Sequence, residues 1–291
     1  MIFSFVILHY LTLKDTCECI ESIQSIDHNG HQINIIVVDN YSNNGTFEEL
    51  QNKYNNSKQV FLIHNNENLG FAKGNNVGYS FAKKINSDFI IILNNDIIIK
   101  SKNFLEIINK YYIDYDYHVL GPYIKSLSNN KNQNPMKAIS MNFLDIVFDI
   151  IKLQLYRILN FVGLYNTVQA LKDSIKKTSS LEEMNNHSIC LNSQLHGSCL
   201  VFSKNYISRE RYAFYPKTFL YLEESILYVH CKQMSYITIY CPDALVFHKE
   251  DSSTNQIYKK NSKKLEFVMK NATNSYLVLA NLLLKRKKEW D

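Results

Sequence analysis

Over the first hundred positions, apolar runs rich in β-branched and aromatic residues alternate with stretches of helical spacing. Ile2 to Leu8 reads as a strand. Behind it, Cys19, Ile20, Ile23 and Ile26 recur at helical spacing, with a cap expected at Asp15 or Thr16. Ile33 to Val38 repeats the strand pattern and ends at Asp39-Asn40, and the Asn44-Gly45 break precedes a helical stretch from Thr46 to Tyr54. Val60 to Ile63 predicts a third strand, Phe71 to Lys84 a helix, and Asp88 to Leu93 a strand apolar enough to be buried on both faces. This β-α-β-α-β-α-β order predicts a doubly wound α/β fold with a mostly parallel sheet.

That last strand is the start of the run Phe89 to Lys100, whose apolar residues are interrupted by Asn94, Asn95 and Asp96 before Ile97 to Ile99 resume. A buried strand that stops at a carboxylate places it at the C-terminal edge of the sheet, where open α/β sheets bind ligands. Asp96 is thus a candidate for a metal or phosphate site; an Asx turn is the plainer reading. Three strands end in polar residues at comparable places: His9-Tyr10, Asp39-Asn40 and Asn94-Asn95-Asp96. Their convergence on one edge favours a nucleotide pocket.

Beyond Lys100 the pattern predicts a helix over Phe104 to Tyr112, a strand over Val119 to Ile124 and a polar loop from Ser126 to Asn134. From Asn142 to Asn166, one polar stripe of Asp145, Asp149, Lys152, Asn160 and Gly163 accompanies an otherwise apolar helix. Core packing, a subunit contact in a homodimer, or a membrane surface would each cover it. Lys172, Lys176 and Lys177 follow, then a polar linker from Thr178 to Asn186. Next come His196-Gly197-Ser198-Cys199 leading into a strand, a helix over Phe219 to Gln233 carrying Glu223 and Glu224, strands over Tyr236 to Tyr240 and Ala244 to Phe247, and His248. A helix over Asn271 to Leu284 and the basic run Lys285-Arg286-Lys287-Lys288 follow.

With 46% apolar and 20% charged residues among 291, the chain can bury a large core and disorder is excluded as a global description. A net charge of +5 suits anionic partners such as nucleotides or acidic lipid but is too weak to imply nucleic-acid binding. None of the six cysteines forms a C-x-x-C pair, which disfavours zinc and thiol-redox chemistry and makes a reduced cytoplasmic compartment the expectation. Ile2 to Leu8 lacks the flanks of a signal peptide, and no apolar segment reaches the roughly 18 residues of a membrane span.

Taken together, Val37-Val38-Asp39-Asn40, Asn68-Leu69-Gly70-Phe71-Ala72 with Asn75-Asn76, Leu93-Asn94-Asn95-Asp96, Gly197-Ser198-Cys199, Phe219 to Glu224 and Val246-Phe247-His248 resemble, in order and spacing, the family-2 glycosyltransferases of the GT-A fold. The resemblance implies residues 1–100 as a nucleotide-sugar-binding half, 101–250 as an acceptor-binding and catalytic half with a helical insertion about 140–180, and 251–291 as a basic helical tail. His9, Tyr10 and Asp39 would hold the base and ribose of a UDP- or dTDP-sugar, with Asn68, Gly70, Asn76, Asn94 and Asn95 bordering the pocket. Asp96 and His248 would hold Mn2+ or Mg2+, which neutralises a departing diphosphate. Glu224 would be the base for a glycan or lipid-linked glycan acceptor, with Glu223 in reserve, and His196, Gly197 and Ser198 would lie against the sugars.

The chain departs from the family pattern where Glu224 replaces the usual Asp, Ile226 a further acidic residue and His230 an Arg. These departures keep open a nucleotide-sugar-binding module with altered catalysis. A sugar-phosphate nucleotidyltransferase is the other rival, although His9 to Thr16 holds none of the glycines its phosphate loop would need. The function expected is an inverting hexosyltransferase of bacterial-type surface polysaccharide or capsule synthesis, at the inner face of the plasma membrane.

Overall fold

The computed structural model describes residues 1–168, 188–250 and 261–285. Lys172, Lys176, Lys177, the linker 178–186 and the basic run after Lys285 lie outside them. The elements are β1 (Ile2–His9), α1 (Leu13–Gln24), β2 (Gln32–Asp39), α2 (Thr46–Tyr54), β3 (Val60–His64), α3 (Gly70–Lys84), β4 (Phe89–Asn94), β5 (Ile97–Ile99), α4 (Phe104–Tyr115), β6 (Val119–Ser126), α5 (Phe143–Phe161), β7 (Cys190–Leu191), β8 (Cys199–Ser203), α6 (Lys204–Arg209), α7 (Glu223–Gln233), β9 (Thr238–His248) and α8 (Asn261–Lys285).

A nine-stranded mixed sheet runs in the order β3-β2-β1-β4-β8-β6-β9-β5, with β7 pairing β9. β3, β2, β1 and β4 are parallel neighbours, β6 and β9 are parallel, and β8, β5 and β7 run antiparallel to their partners. The expected doubly wound α/β fold with flanking helices and a helical C-terminal segment is present. Side chains alternate along each central strand. Phe3, Phe5, Ile7, Ile35, Val37, Phe89 and Ile91 pack with Ile20, Ile23 and Phe104 on one face; Val6, Ile36, Val38, Ile90 and Ile92 pack with Ala72, Tyr79 and Ile226 on the other. Both faces are covered, which is why these strands read as continuous apolar runs.

Register fixes the edge that matters. His9 pairs with Asp39, Asp39 with His64, and Leu8 with Asn94, so the polar ends of four parallel strands lie side by side. Ile97 to Ile99 do not continue β4. The chain turns at Asn95-Asp96 and β5 pairs antiparallel with β9 at the far end of the sheet, bringing Ile97 opposite His248.

Several boundaries differ from expectation. α1 begins at Leu13 behind Thr12 rather than at Asp15. The strand segments expected over 236–240 and 244–247 are one strand, β9, which absorbs an irregularity opposite Pro122/Tyr123. α7 starts at Glu223 rather than Phe219, because Tyr221 and Leu222 hold φ of 73° and 63°, a left-handed turn incompatible with helix. α8 begins ten residues earlier than the apolar pattern indicates.

α5 packs inward through Phe143, Ile146 and Ile150, and it shares polar contacts with α8. Three of its polar residues face α8: Arg157 pairs with Glu266 at 2.7 Å, the Asn160 amide donates to the Ser262 carbonyl at 3.0 Å, and Asp149 lies beside the Tyr276 hydroxyl. A second set of apolar residues faces outward, with Leu144, Phe148, Ile151, Leu155 and Ile158 all more than half exposed. Core packing therefore covers only part of the wide apolar face.

Candidate active site

Asp96 sits in the turn between β4 and β5, 5% exposed, and its Oδ1 has no hydrogen-bond partner. Leaving a buried acceptor unpaired costs about 1–3 kcal/mol. His248, at the end of β9, points its Nε2 at that oxygen from 3.4 Å, beyond the length of a good hydrogen bond. A carboxylate oxygen and an imidazole nitrogen facing one another across a short gap fit a hard divalent cation that tolerates one imidazole. Among the described residues no third His, Cys, Asp or Glu completes a metal cluster. Asp96 and His248 would thus be the protein's share of a metal's ligands, the rest coming from diphosphate oxygens and water.

The remaining polar strand ends are largely occupied with each other. His9 is fully buried, with Nδ1 2.7 Å from the Thr16 hydroxyl and Nε2 3.0 Å from that of Thr46. Burial holds its imidazole below the usual pKa against the pull of Asp39. Asp39 accepts from the Ser42 N–H and lies 2.8 Å from His64 Nδ1. Asn95 donates to the Thr12 and Thr16 hydroxyls at 2.6 and 3.0 Å, tying the β4 turn to the start of α1. The Asn76 side chain bonds the backbone of Ala213 and Phe214, so it braces a loop. Asn68 accepts from the Gly70 N–H and the Asn40 amide, fixing the turn into α3. Tyr10 and Asn94 remain half-buried at the edge.

His64 was not singled out by sequence, although it ends β3 in register with Asp39. It is exposed beside Tyr41 and Phe47, with ring centroids 6.3 and 4.7 Å away, and it rather than Asp39 forms the outer surface there. The rule that found His9 and Asp39, a polar residue closing a parallel strand, finds His64 as well.

On the other side of the edge, β8 delivers His196, Gly197 and Ser198. The Ser198 carbonyl accepts from the Asn94 N–H at 2.9 Å, and the His196 ring stands 5.7 Å edge-on from that of His248. The Ser198 N–H donates to His196 Nδ1, so the neutral ring carries its proton on Nε2, and burial lowers its pKa to about 4. Gly197 marks a close approach: a Cβ there would stand 3.3 Å from Glu224 Oε2. Glu224 therefore lies against the same segment that carries His196 to His248.

Glu223 and Glu224 open α7. Burial raises the pKa of both carboxyls, that of Glu223 to about 8 with the neighbouring Glu224 as the second cause. Glu223 is 3% exposed and its Oε1 is unpaired, whereas Glu224 is half-buried. The turn before them is clamped from two sides. The Phe71 N–H and the Ser275 hydroxyl donate to the Phe219 and Leu220 carbonyls at 2.7 and 3.1 Å.

A family model for "Glycosyl transferase family 2" matches residues 4–172, more than half of the chain. The chain belongs to glycosyl transferase family 2. The matched span includes Asp96 but not Glu224 or His248. A search of curated proteins finds no match. Among solved structures the fold is similar to S. aureus TarS, at 15% identity and TM-score 0.52 over 86% of this chain, which spans only 37% of that protein's length. It is similar to residues 1–349 of TarS in complex with UDP, at 15% identity and TM-score 0.53 over 98% of this chain and 71% of that one. It is also similar to a mannosyltransferase from Pyrobaculum calidifontis in complex with GDP-Man and Mn2+, at 12% identity and TM-score 0.53, covering 97% of this chain and 74% of that one. At such identities these likenesses speak to the GT-A fold.

Proposed function

We propose that this family-2 glycosyltransferase is a metal-dependent, inverting enzyme that moves a sugar from a nucleoside-diphosphate donor to a hydroxyl of a glycan acceptor. The observation that carries the reading is the unpaired, buried Asp96 carboxylate facing His248 Nε2 at 3.4 Å on the edge that also holds Glu224. UDP bound to TarS and GDP-Man with Mn2+ bound to the archaeal mannosyltransferase support this class of donor. The donor's base would lie over the ends of β1 to β3, against Tyr10 and the exposed Tyr41 and His64, with Asp39 and His9 holding that surface from behind.

Asp96 and His248 would hold Mn2+ or Mg2+, which when bound supplies Lewis-acid neutralisation of the departing diphosphate. Glu224 accepts the proton of the acceptor hydroxyl as that oxygen bonds to the anomeric carbon. The carbon–oxygen bond to the diphosphate breaks on the opposite face, which inverts the configuration. A carboxylate whose pKa is raised by burial is better matched to this work near neutral pH than a solvated one. Glu223 backs Glu224, and His196 offers an Nε2–H donor beside the diphosphate.

A lipid-linked acceptor at a membrane surface, in bacterial-type surface polysaccharide or capsule synthesis, is supported by the exposed apolar stripe Leu144, Phe148, Ile151, Leu155 and Ile158 of α5. No helix among the described residues is long and apolar enough to cross a membrane. Flotation of the protein with anionic vesicles, lost in Phe148→Glu/Leu155→Glu, tests this contact; equal flotation of the variant counts against it.

Nucleotide release from UDP-, dTDP- and GDP-sugars, with and without Mn2+, tests the activity. Glu224→Gln is expected to lower kcat about 10²–10⁴-fold with nucleotide binding retained, the usual span for a lost general base. Nucleotide binding without turnover of any donor would instead mark a binding module. Pyrophosphate as the product would mark a nucleotidyltransferase.

A further inference from the structure

We propose that Gln133 and Glu250 are positioning residues that hold His248 in the tautomer whose Nε2 lone pair faces Asp96. The inference rests on the reading of Asp96 and His248 as a cation's ligands. His248 Nδ1 lies 2.8 Å from Gln133 Oε1, a contact that alone leaves the proton's place open. The far end of Gln133 settles it. Its Nε2 is 2.5 Å from Glu250 Oε1, and a carboxylate accepts only, so the amide NH2 faces Glu250 and the carbonyl faces His248. That carbonyl accepts only, so Nδ1 must donate, and a neutral imidazole then has its lone pair on Nε2.

The other tautomer would place an N–H on Nε2, 3.4 Å from an unpaired carboxylate oxygen. A small ring rotation would close that gap into a hydrogen bond and leave the site filled by the protein itself. Fixing the proton on Nδ1 keeps two acceptors facing one another and the site open to a cation. Outer partners that set a ligating histidine's tautomer typically contribute 10–100-fold in metal affinity.

The relay is anchored in the fold. Gln133 returns along β6, its N–H donating to the Ile124 carbonyl at 2.9 Å, and Ser126 pairs in register with His248. Glu250, at φ 70°, is also held by the Ser128 hydroxyl. Nothing in the pattern of the polar loop 126–134 marks Gln133 as different from its neighbours.

The full chain labelled with 15N-histidine tests the relay. In the metal-free protein, two-bond 15N–1H spectra are expected to show His248, identified by loss of its signals in His248→Gln, protonated on Nδ1. Mn2+ affinity in the presence of UDP or GDP, read by electron paramagnetic resonance, is expected to fall about 10–100-fold in Gln133→Leu. It should recover most of that loss in Gln133→Glu/Glu250→Gln, which swaps the amide and the carboxylate but keeps an acceptor toward His248. An Nε2-protonated His248 in the parent overturns the relay, as does a Gln133→Leu variant that binds Mn2+ like the parent. A parent that binds no Mn2+ with either nucleotide overturns the metal reading first and the relay's purpose with it. If Gln133→Leu does not fold, Glu250→Gln, which leaves Gln133 free to turn over, is expected to give a mixed tautomer and weaker binding, and a parent-like spectrum and affinity in it overturn the proposal.

Discussion

Glu223 shows how far burial has moved a single side chain. Its carboxyl is nearly inaccessible, one oxygen is unpaired, and its pKa is raised from 4.5 to about 8. An acid whose folded pKa is raised holds its proton more tightly in the folded state. Its contribution to stability is therefore full below pH 4.5 and is lost as pH climbs toward 8. Glu223→Gln, which keeps the shape of the neutral acid, is expected to flatten the decline of unfolding free energy between pH 4.5 and 8 measured by denaturant titration. Part of the slope should persist through Glu224, whose pKa is also raised. A variant with the parent's slope would show that Glu223 carries no buried proton. The acidic pair was legible in the sequence at this scale; which member is sealed and which borders the site was not, because that depends on the turn before α7.

That turn belongs to the scale of elements. Gly70, at φ +77°, begins α3, and a Cβ on it would meet the Phe219 carbonyl oxygen at 2.2 Å. Gly70→Ala would thus impose a left-handed conformation on alanine and push the 219–222 turn, with Glu223 and Glu224 behind it, off its seat. A stability loss of about 1–3 kcal/mol is expected from the overpacking, with a fall in kcat greater than any change in nucleotide affinity. Unchanged turnover at a lowered melting temperature would uncouple the α3 turn from the acidic pair. The alternation of strands and helices was readable because β1, β2 and β4 are buried on both faces and each stops at a polar residue. The run 89–100 showed strand character on both sides of the Asn94-Asn95-Asp96 turn but not that Ile97–Ile99 crosses to β9, and only that crossing brings Asp96 to His248. α5 left its cover open, since hydropathy alone does not say how much of an apolar helix its neighbours will take.

At the scale of the molecule, the two proposed metal ligands come from places 152 residues apart in the chain, joined by one sheet. Lys249, next to His248, fastens the same junction: its ammonium pairs with Asp15 at 2.8 Å and with Glu18, both on α1, and its N–H donates to the Asp96 carbonyl at 3.2 Å. Two protein ligands are too few to hold Mn2+ or Mg2+ tightly, and a nucleoside diphosphate with no cation would meet the Asp96 carboxylate as a like charge. Each partner should therefore bind weakly alone and strongly together. By linkage, the factor by which metal tightens nucleotide binding must equal the factor by which nucleotide tightens metal binding. Calorimetric titrations of UDP or GDP with and without Mn2+, and of Mn2+ with and without the nucleotide, are expected to return equal factors, of the order of 5–150-fold. Chelation by EDTA should remove the shared gain, lowering the melting temperature of the nucleotide-loaded protein toward that of the free chain. Asp96→Asn removes the charge that both opposes the lone nucleotide and attracts the cation, so it should abolish the coupling while leaving nucleotide-only binding equal or tighter. Coupling that survives Asp96→Asn would place the cation elsewhere on the edge and leave the unpaired carboxylate without this purpose.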